Sequence, residues 1–242
     1  MREDDHFRSA ASPIKDRSMP PPLIPADTKA VVFDAYGTLF DVHSAVARHA
    51  AQVGPEAALL SEIWRAKQLE YSWVLSLAGR YEPFWSLTEQ ALDYAFARCP
   101  TADYSVRPLL LDAYRSLDAY PEVRETLRGL RARGLRTAIL SNGDPAMLCA
   151  AVSSADLAGS FDAVLSVDAA KTFKTSPDAY QLAIEELSLN EDEIVFVSSN
   201  RWDIAGAAAF GFTPIWVNRL GLPDEYGELA PRAIIDTLEG LL

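Results

Sequence analysis

Five times along the chain a short apolar run stops at a polar or turn-prone loop. The runs are residues 30–33 before Asp34 and Gly37, 135–140 before Ser141-Asn142-Gly143, 163–167, 194–197 before Ser198-Ser199-Asn200, and 212–217. A run without polar alternation has apolar side chains on both faces and reads as a strand buried on both sides. The stretches between carry helix punctuation. Pro121 suits a first turn, Val123, Leu127 and Leu130 share a face, and Gly134 can take the left-handed conformation that ends a helix. Asp144-Pro145 and Ser176-Pro177 read as N-cap followed by the first helical residue, and residues 202–210 close at Gly211. Strands alternating with helices require a parallel sheet covered on both faces, and such a sheet binds its ligands beyond the carboxyl ends of the strands. The polar loops are therefore where chemistry is expected.

Between Phe40 and Tyr120 the strand signal gives way to helical periodicity rich in large side chains, including Trp64, Leu69, Tyr71, Trp73, Leu77, Phe84, Trp85, Leu92 and Phe96. This predicts a helical insert after the first strand, with most of its aromatics in the core. Residues 1–27 hold five prolines and few large apolar groups, a mixture that does not offset the entropy of ordering, so a mobile tail is expected there. The expected organisation is a tail over 1–27, a core domain of 28–43 and 120–242, and a helical cap over 44–119.

The 242 residues are 49% hydrophobic, enough to bury a sizeable core. A net charge of −12 argues against a nucleic-acid partner, because phosphate neutralisation needs a basic patch. No apolar run approaches the roughly 20 residues of a membrane span, and the charged start is followed by no apolar signal core. Cys99 and Cys149 lie far apart and form no CxxC pair, which fits a reducing compartment. A cytoplasmic protein is expected.

Four polar loops converge if the crossovers of the sheet are right-handed: Asp34 to Thr38, Ser141-Asn142-Gly143, Lys174, and Ser198 to Asp203. Asp34, with an ordinary carboxylate pKa of about 3.9, is ionised at neutral pH and can attack carbon without a general base. An ammonium about 4 Å away contributes on the order of 4 kcal/mol at an effective dielectric of about 20, which makes Lys174 a natural counterion for Asp34 and an anionic substrate. The three histidines, His6, His43 and His49, all lie early, so the late histidine of an α/β-hydrolase triad is missing. No H-E-x-x-H, CxxC or Gly-rich nucleotide loop is present, and neither a metal nor another cofactor is expected.

The segment Phe33-Asp34-Ala35-Tyr36-Gly37-Thr38-Leu39-Phe40-Asp41 resembles the first motif of the haloacid dehalogenase superfamily, and Ser141-Asn142-Gly143 the second. Lys174 falls where the third is found, with Lys171 as the alternative, and residues 196–203 are similar to the fourth motif as it occurs in L-2-haloacid dehalogenases. Within the insert, Trp64-Arg65, the segment 67–71 and Arg80-Tyr81 match as well. The resemblance spans residues 30 to 242. It implies an α/β fold, a doubly wound, Rossmann-like parallel sheet with a helical cap inserted after the first strand.

The superfamily is dominated by phosphatases, which carry an acid/base Asp two residues after the nucleophile and acidic Mg²⁺ ligands in the fourth motif. Here Tyr36 and Ser198-Ser199-Asn200 occupy those places, and a phenol does not replace a carboxylate at a Mg²⁺ site. The resemblance implies hydrolysis of short L-2-haloacids with halide release, by a homodimer. Asp34 would be the nucleophile, held by Thr38, Ser198 and Asn200. Arg65 and Asn142 would cradle the halide, Ser141 and Lys174 would meet the substrate carboxylate and Asp34, and Asp203 would orient or activate water. Tyr36, Leu69, Phe84 and Trp202 would wall the pocket. A phosphatase or phosphonatase, and a non-catalytic binding module, are the alternatives on this fold.

Overall fold

The computed structural model describes residues 22–242. Its centre is a six-stranded parallel sheet made of β1 (Ala30–Phe33), β2 (Arg136–Ser141), β3 (Ala163–Ser166), β4 (Ile194–Ser198), β5 (Thr213–Val217) and β6 (Ala233–Ile235), in the order β3-β2-β1-β4-β5-β6. β1 lies between β2 and β4, and all four of its side chains are buried, which is why its sequence has no polar member. Strand order reverses between β1 and β4, the place where a doubly wound sheet opens a crevice at its carboxyl edge. Phe33 pairs with Ile139 and Val197, so the segments just beyond β1, β2 and β4 emerge together at that edge.

Five strands were expected and six are present among the described residues. β6 has three residues at the sheet edge, with Ile234 at its middle half exposed, and a run that short carries no periodicity to read.

Between β1 and β2 the chain forms α1 (Ser44–Arg48), α2 (Ala50–Val53), α3 (Ala57–Leu77), α4 (Phe84–Arg98) and α5 (Arg107–Arg115). Buried polar contacts tie these helices together. The Trp64 indole N–H donates to the Thr88 carbonyl at 2.8 Å, the Gln68 amide donates to the Thr88 hydroxyl at 3.0 Å, and the Tyr114 hydroxyl donates to Gln68 at 3.3 Å. Trp64, Phe84, Leu92 and Phe96 are core residues as expected, whereas Trp73 is 38% and Leu77 91% exposed. The chain leaves and rejoins the sheet side by side, since Asp41 N–H donates to the Asp118 carbonyl and Tyr120 N–H to the Leu39 carbonyl.

The remaining helices, α6 (Val123–Ala132), α7 (Pro145–Ser154), α8 (Pro177–Leu187) and α9 (Arg201–Phe210), alternate with the strands. Gly134 and Gly211 take positive φ at the ends of α6 and α9. Asp144 and Ser176 stand at the N-cap positions of α7 and α8, yet neither side chain caps its own helix.

Part of the expected tail is ordered against the core: Ile24 is buried, and the Arg232 guanidinium donates to the carbonyls of Pro22 and Leu23. Of the segment expected as a mobile tail, residues 22–27 are thus described against the core, and 1–21 lie outside the described residues. Among the described residues no helix is long and apolar enough to cross a membrane.

Candidate active site

Asp34 extends the β1–β4 ladder by one residue, its N–H donating to the Val197 carbonyl at 2.9 Å, and the residue is 5% exposed. The chain then turns tightly through Gly37 at φ +93°, a conformation that favours glycine, and returns Thr38 to the carboxylate. Thr38 Oγ1 donates to Asp34 Oδ2 at 3.0 Å, Asn200 Nδ2 to the same oxygen at 2.9 Å, and Lys174 Nζ to Oδ1 at 3.1 Å. Thr38 Oγ1 also accepts the Ser199 N–H, which locks the loops after β1 and β4 together. Ser198, expected among the groups holding Asp34, does something else. Its hydroxyl accepts the N–H of Asn200 at 3.1 Å and so shapes the turn that presents the Asn200 amide.

Lys174 is 1% exposed and spans two carboxylates, Asp34 and Asp203, with its Nζ 3.0 Å from Asp203 Oδ2. Its ammonium lies 4.9 Å from the Phe196 ring centroid, a cation–π contact beneath the charge. Its N–H donates to Asn142 Oδ1, so the loop after β2 positions it. Lys171 is outside the site, paired with Asp168 on the surface. Asp203 is fully buried, and Tyr180 donates to its Oδ1 at 2.8 Å. Burial, reinforced by the Asp34 charge, pushes the Asp203 carboxyl up to about 6 against the opposing pull of Lys174 and Tyr180. Tyr180 and Phe196 escaped the sequence reading because an aromatic inside a helix or strand gives the same signal whether it packs or binds.

Facing this cluster is a narrow cavity lined by Asp34, Tyr36, Arg65, Leu69, Phe84, Ser141, Asn142 and Trp202. The structure thus brings Tyr36, Arg65, Leu69, Phe84, Ser141, Asn142 and Trp202 together on one cavity, whereas Lys174, also expected to meet the substrate carboxylate, touches Asp34 without lining that cavity. Arg65 reaches down from α3, its Nη2 donating to the Tyr36 carbonyl at 3.1 Å and to Asn200 Oδ1 at 3.4 Å. The Tyr36 ring stacks on Tyr114 at 5.8 Å, and burial raises its phenol well above the usual range, so it stays neutral. Its hydroxyl has no partner among the described residues.

Two further residues went unrecognised. A Cβ at Gly143 would lie 2.6 Å from Tyr36 Cε2, so the bare backbone is what admits the ring. Asp144, read as the cap of its own helix, accepts instead the N–H groups of Phe84 and Trp85 at 2.8 and 2.9 Å. It thereby caps α4 from across the site and sets Phe84 on the cavity wall.

The donors around Asp34 do not fit Mg²⁺. The Thr38 hydroxyl, the Asn200 amide and the Lys174 ammonium occupy the carboxylate, and among the described residues no three His, Cys, Asp or Glu side chains converge as ligands.

The family model for haloacid dehalogenase-like hydrolases matches residues 28–211. The chain belongs to this family. Among relatives of this haloacid dehalogenase-like hydrolase, (S)-2-haloacid dehalogenase 1 of Pseudomonas sp. (strain CBS-3) is 47% identical over 88% of this chain and 94% of its own. (S)-2-haloacid dehalogenase 4A of Burkholderia cepacia is 48% identical over 84% and 88%. The structure of L-2-haloacid dehalogenase from Xanthobacter autotrophicus with chloropropionic acid covalently bound superposes with a TM-score of 0.80 at 41% identity, covering 88% of this chain and 96% of that one.

Proposed function

We propose that the protein is an (S)-2-haloacid dehalogenase that hydrolyses short L-2-haloalkanoic acids to D-2-hydroxy acids through an ester at Asp34. The observation that carries this is the ionic cradle: a buried carboxylate with donors on both oxygens, facing a cavity that Arg65 and Asn142 also line. In the first step one Asp34 oxygen bonds to C2 of the substrate while the carbon–halogen bond breaks, and the halide leaves toward Arg65 and Asn142. Backside attack inverts C2. In the second step water attacks the Asp34 carbonyl carbon, releasing the hydroxy acid and a proton and restoring the carboxylate.

Preorganised donors lower the cost of both steps because they need not reorient as charge moves from carboxylate to halide. Ser141 meets the substrate carboxylate, with Lys174 balancing the charge, and Asp203 orients the water. Residues 44–119 act as a cap that carries Arg65, Leu69 and Phe84 onto a core of 28–43 and 120–242. The reaction proceeds without a metal ion. A homodimer accords with the family resemblance, and the exposed free thiol of Cys149 suits a cytoplasmic protein.

Single turnover in ¹⁸O-water tests the reading. Halide is released from (S)-2-chloropropionate, the label appears in Asp34 before it appears in product, and Asp34→Asn abolishes both. Label in the first product with none in the protein would show that water attacks the substrate directly.

A further inference from the structure

Lys174 stands on no strand or helix. It lies on the stretch between β3 and α8, where residues 167–170 make a short helical turn, Lys171 takes φ +49°, and Phe173 and Lys174 are buried. The core holds the two ends of this stretch: Ser166 Oγ donates to the Gly143 carbonyl at 2.7 Å, and the Lys174 N–H donates to Asn142 Oδ1 at 3.0 Å. Its middle is held by the helical insert. From the loop between α3 and α4 the Tyr81 hydroxyl donates to Asp168 Oδ1 at 2.7 Å, and the Tyr81 ring centroid lies 5.1 Å from that of Phe173. From α3, Ser76 Oγ accepts the Phe173 N–H at 3.0 Å. Tyr81 does not line the catalytic cavity, so any influence it has on the chemistry passes through Asp168 and Phe173 to Lys174.

Two donors meet on the Asp168 carboxylate, and they are unequal. Lys171 Nζ donates to Oδ2 at 2.9 Å, but its side chain is 63% exposed, and an exposed ion pair holds little. The Tyr81 bond is half-buried and charge-assisted, about twice as strong as a bond between neutral groups. Burial and the Asp168 carboxylate keep the proton on the phenol, while the bond from Tyr81, and then that from Lys171, holds the Asp168 carboxyl below its usual range. The contact therefore persists at the pH where Asp203 titrates. Lys174 requires a tight hold, because its Nζ stands 3.1 Å from Asp34 Oδ1 and 3.0 Å from Asp203 Oδ2. A displacement of about 1 Å breaks one of these bonds, and a misplacement of that size costs up to about a hundredfold in rate. We infer that Tyr81 is a positioning residue for the reaction: through its bond to Asp168 and its packing on Phe173, the helical insert fixes the Lys174 ammonium between Asp34 and Asp203. The inference rests on the haloacid reading above and adds the residue by which the insert governs the charge balance at Asp34.

Tyr81→Phe removes the hydroxyl and keeps the ring. On (S)-2-chloropropionate it should lower kcat about tenfold and leave KM within about twofold, since the residues that line the cavity keep their places. Asp203 is faced by Lys174, Asp34 and Tyr180, and it loses part of the opposing charge once Lys174 is loosely held. The acid limb of the kcat profile should therefore move up by about half a pH unit. A residue that merely supports the fold would not move that limb. Asp168→Ala should match Tyr81→Phe, and the double variant should be no slower than either alone, because both changes remove the same bond. Asp168→Asn, which keeps an acceptor, should hold kcat within about threefold of wild type, and Lys171→Ala within about twofold. Turnover at a near-wild-type KM reports that each variant has folded. Losses that multiply in the double variant, or a Tyr81→Phe protein whose kcat and acid limb are those of wild type, overturn the inference. Absence of halide release in the wild type overturns the haloacid reading itself, and the positioning role with it.

Discussion

Lys174 is the residue on which the site's charge balance turns, because one ammonium serves two buried carboxylates. Full burial, reinforced by the Asp34 charge, keeps Asp203 from shedding its proton as easily as a carboxyl in water, so its titration is pushed up to about 6. In the unfolded chain the same group titrates near 3.9. Between those values the folded protein holds a proton that the unfolded chain has released, so this group's contribution to stability is full below pH of about 4, declines as pH rises, and levels off above about 6. Asp203→Asn removes the titration. The stability difference between wild type and variant, measured by urea unfolding across pH 4 to 7.5, should therefore shift against the wild type as pH rises and become constant above about 6.5. A difference independent of pH would mean that Asp203 titrates normally. The residue types of this cluster were legible in the sequence, since Asp34, Lys174 and Asp203 each follow a strand. Ser198 was misplaced by its motif alone: a hydroxyl next to a required amide can bond the ligand group or the turn, and only the backbone path decides.

At the scale of elements, strands and helices were readable where an apolar run met a breaker, and unreadable where a contact joins distant segments. Asp144-Pro145 is the clearest case. Local rules make the aspartate a cap for α7, yet its carboxylate accepts the first two N–H groups of α4, sixty residues earlier in the chain. The unsatisfied donors at a helix start are a requirement that any nearby acceptor can meet, so proximity in the fold overrides proximity in sequence. Asp144→Ala should lower stability by about 1–2 kcal/mol, in the range of a lost cap. It should also raise KM for (S)-2-chloropropionate several-fold with a smaller change in kcat, since Phe84 loses its fixed position while Asp34 and Lys174 keep theirs. Asp144→Asn, which retains one acceptor, should recover most of the KM. Equal falls in kcat and stability with KM unchanged would show that the residue merely supports the fold.

At the scale of the whole molecule, the sheet order and the site form one argument. Reversal of strand order between β1 and β4 opens the crevice, and the loops after β1, β2 and β4, together with the Lys174 loop that follows β3, supply the cluster while the inserted helices close it. This architecture was foreseeable from the alternation of runs and helices, whereas the exposed Trp73 and Leu77 were not, because amphipathic spacing does not reveal which apolar faces are left uncovered. The same architecture accommodates phosphatase chemistry when carboxylates gather a Mg²⁺ ion, so the donor set must decide between reactions. Here Asp34 Oδ1 already faces the Lys174 ammonium at 3.1 Å and Oδ2 accepts from Thr38 and Asn200, while the place of an acid/base carboxylate is taken by the neutral phenol of Tyr36. A divalent cation would have to displace Lys174 and would bind the lone pairs needed for attack on carbon. Turnover of (S)-2-chloropropionate should accordingly survive exhaustive EDTA treatment and gain nothing from added Mg²⁺, with phosphate esters inert under both conditions. Activity lost to the chelator and restored by Mg²⁺ would instead mean that the cation, not Lys174, balances the charge of Asp34.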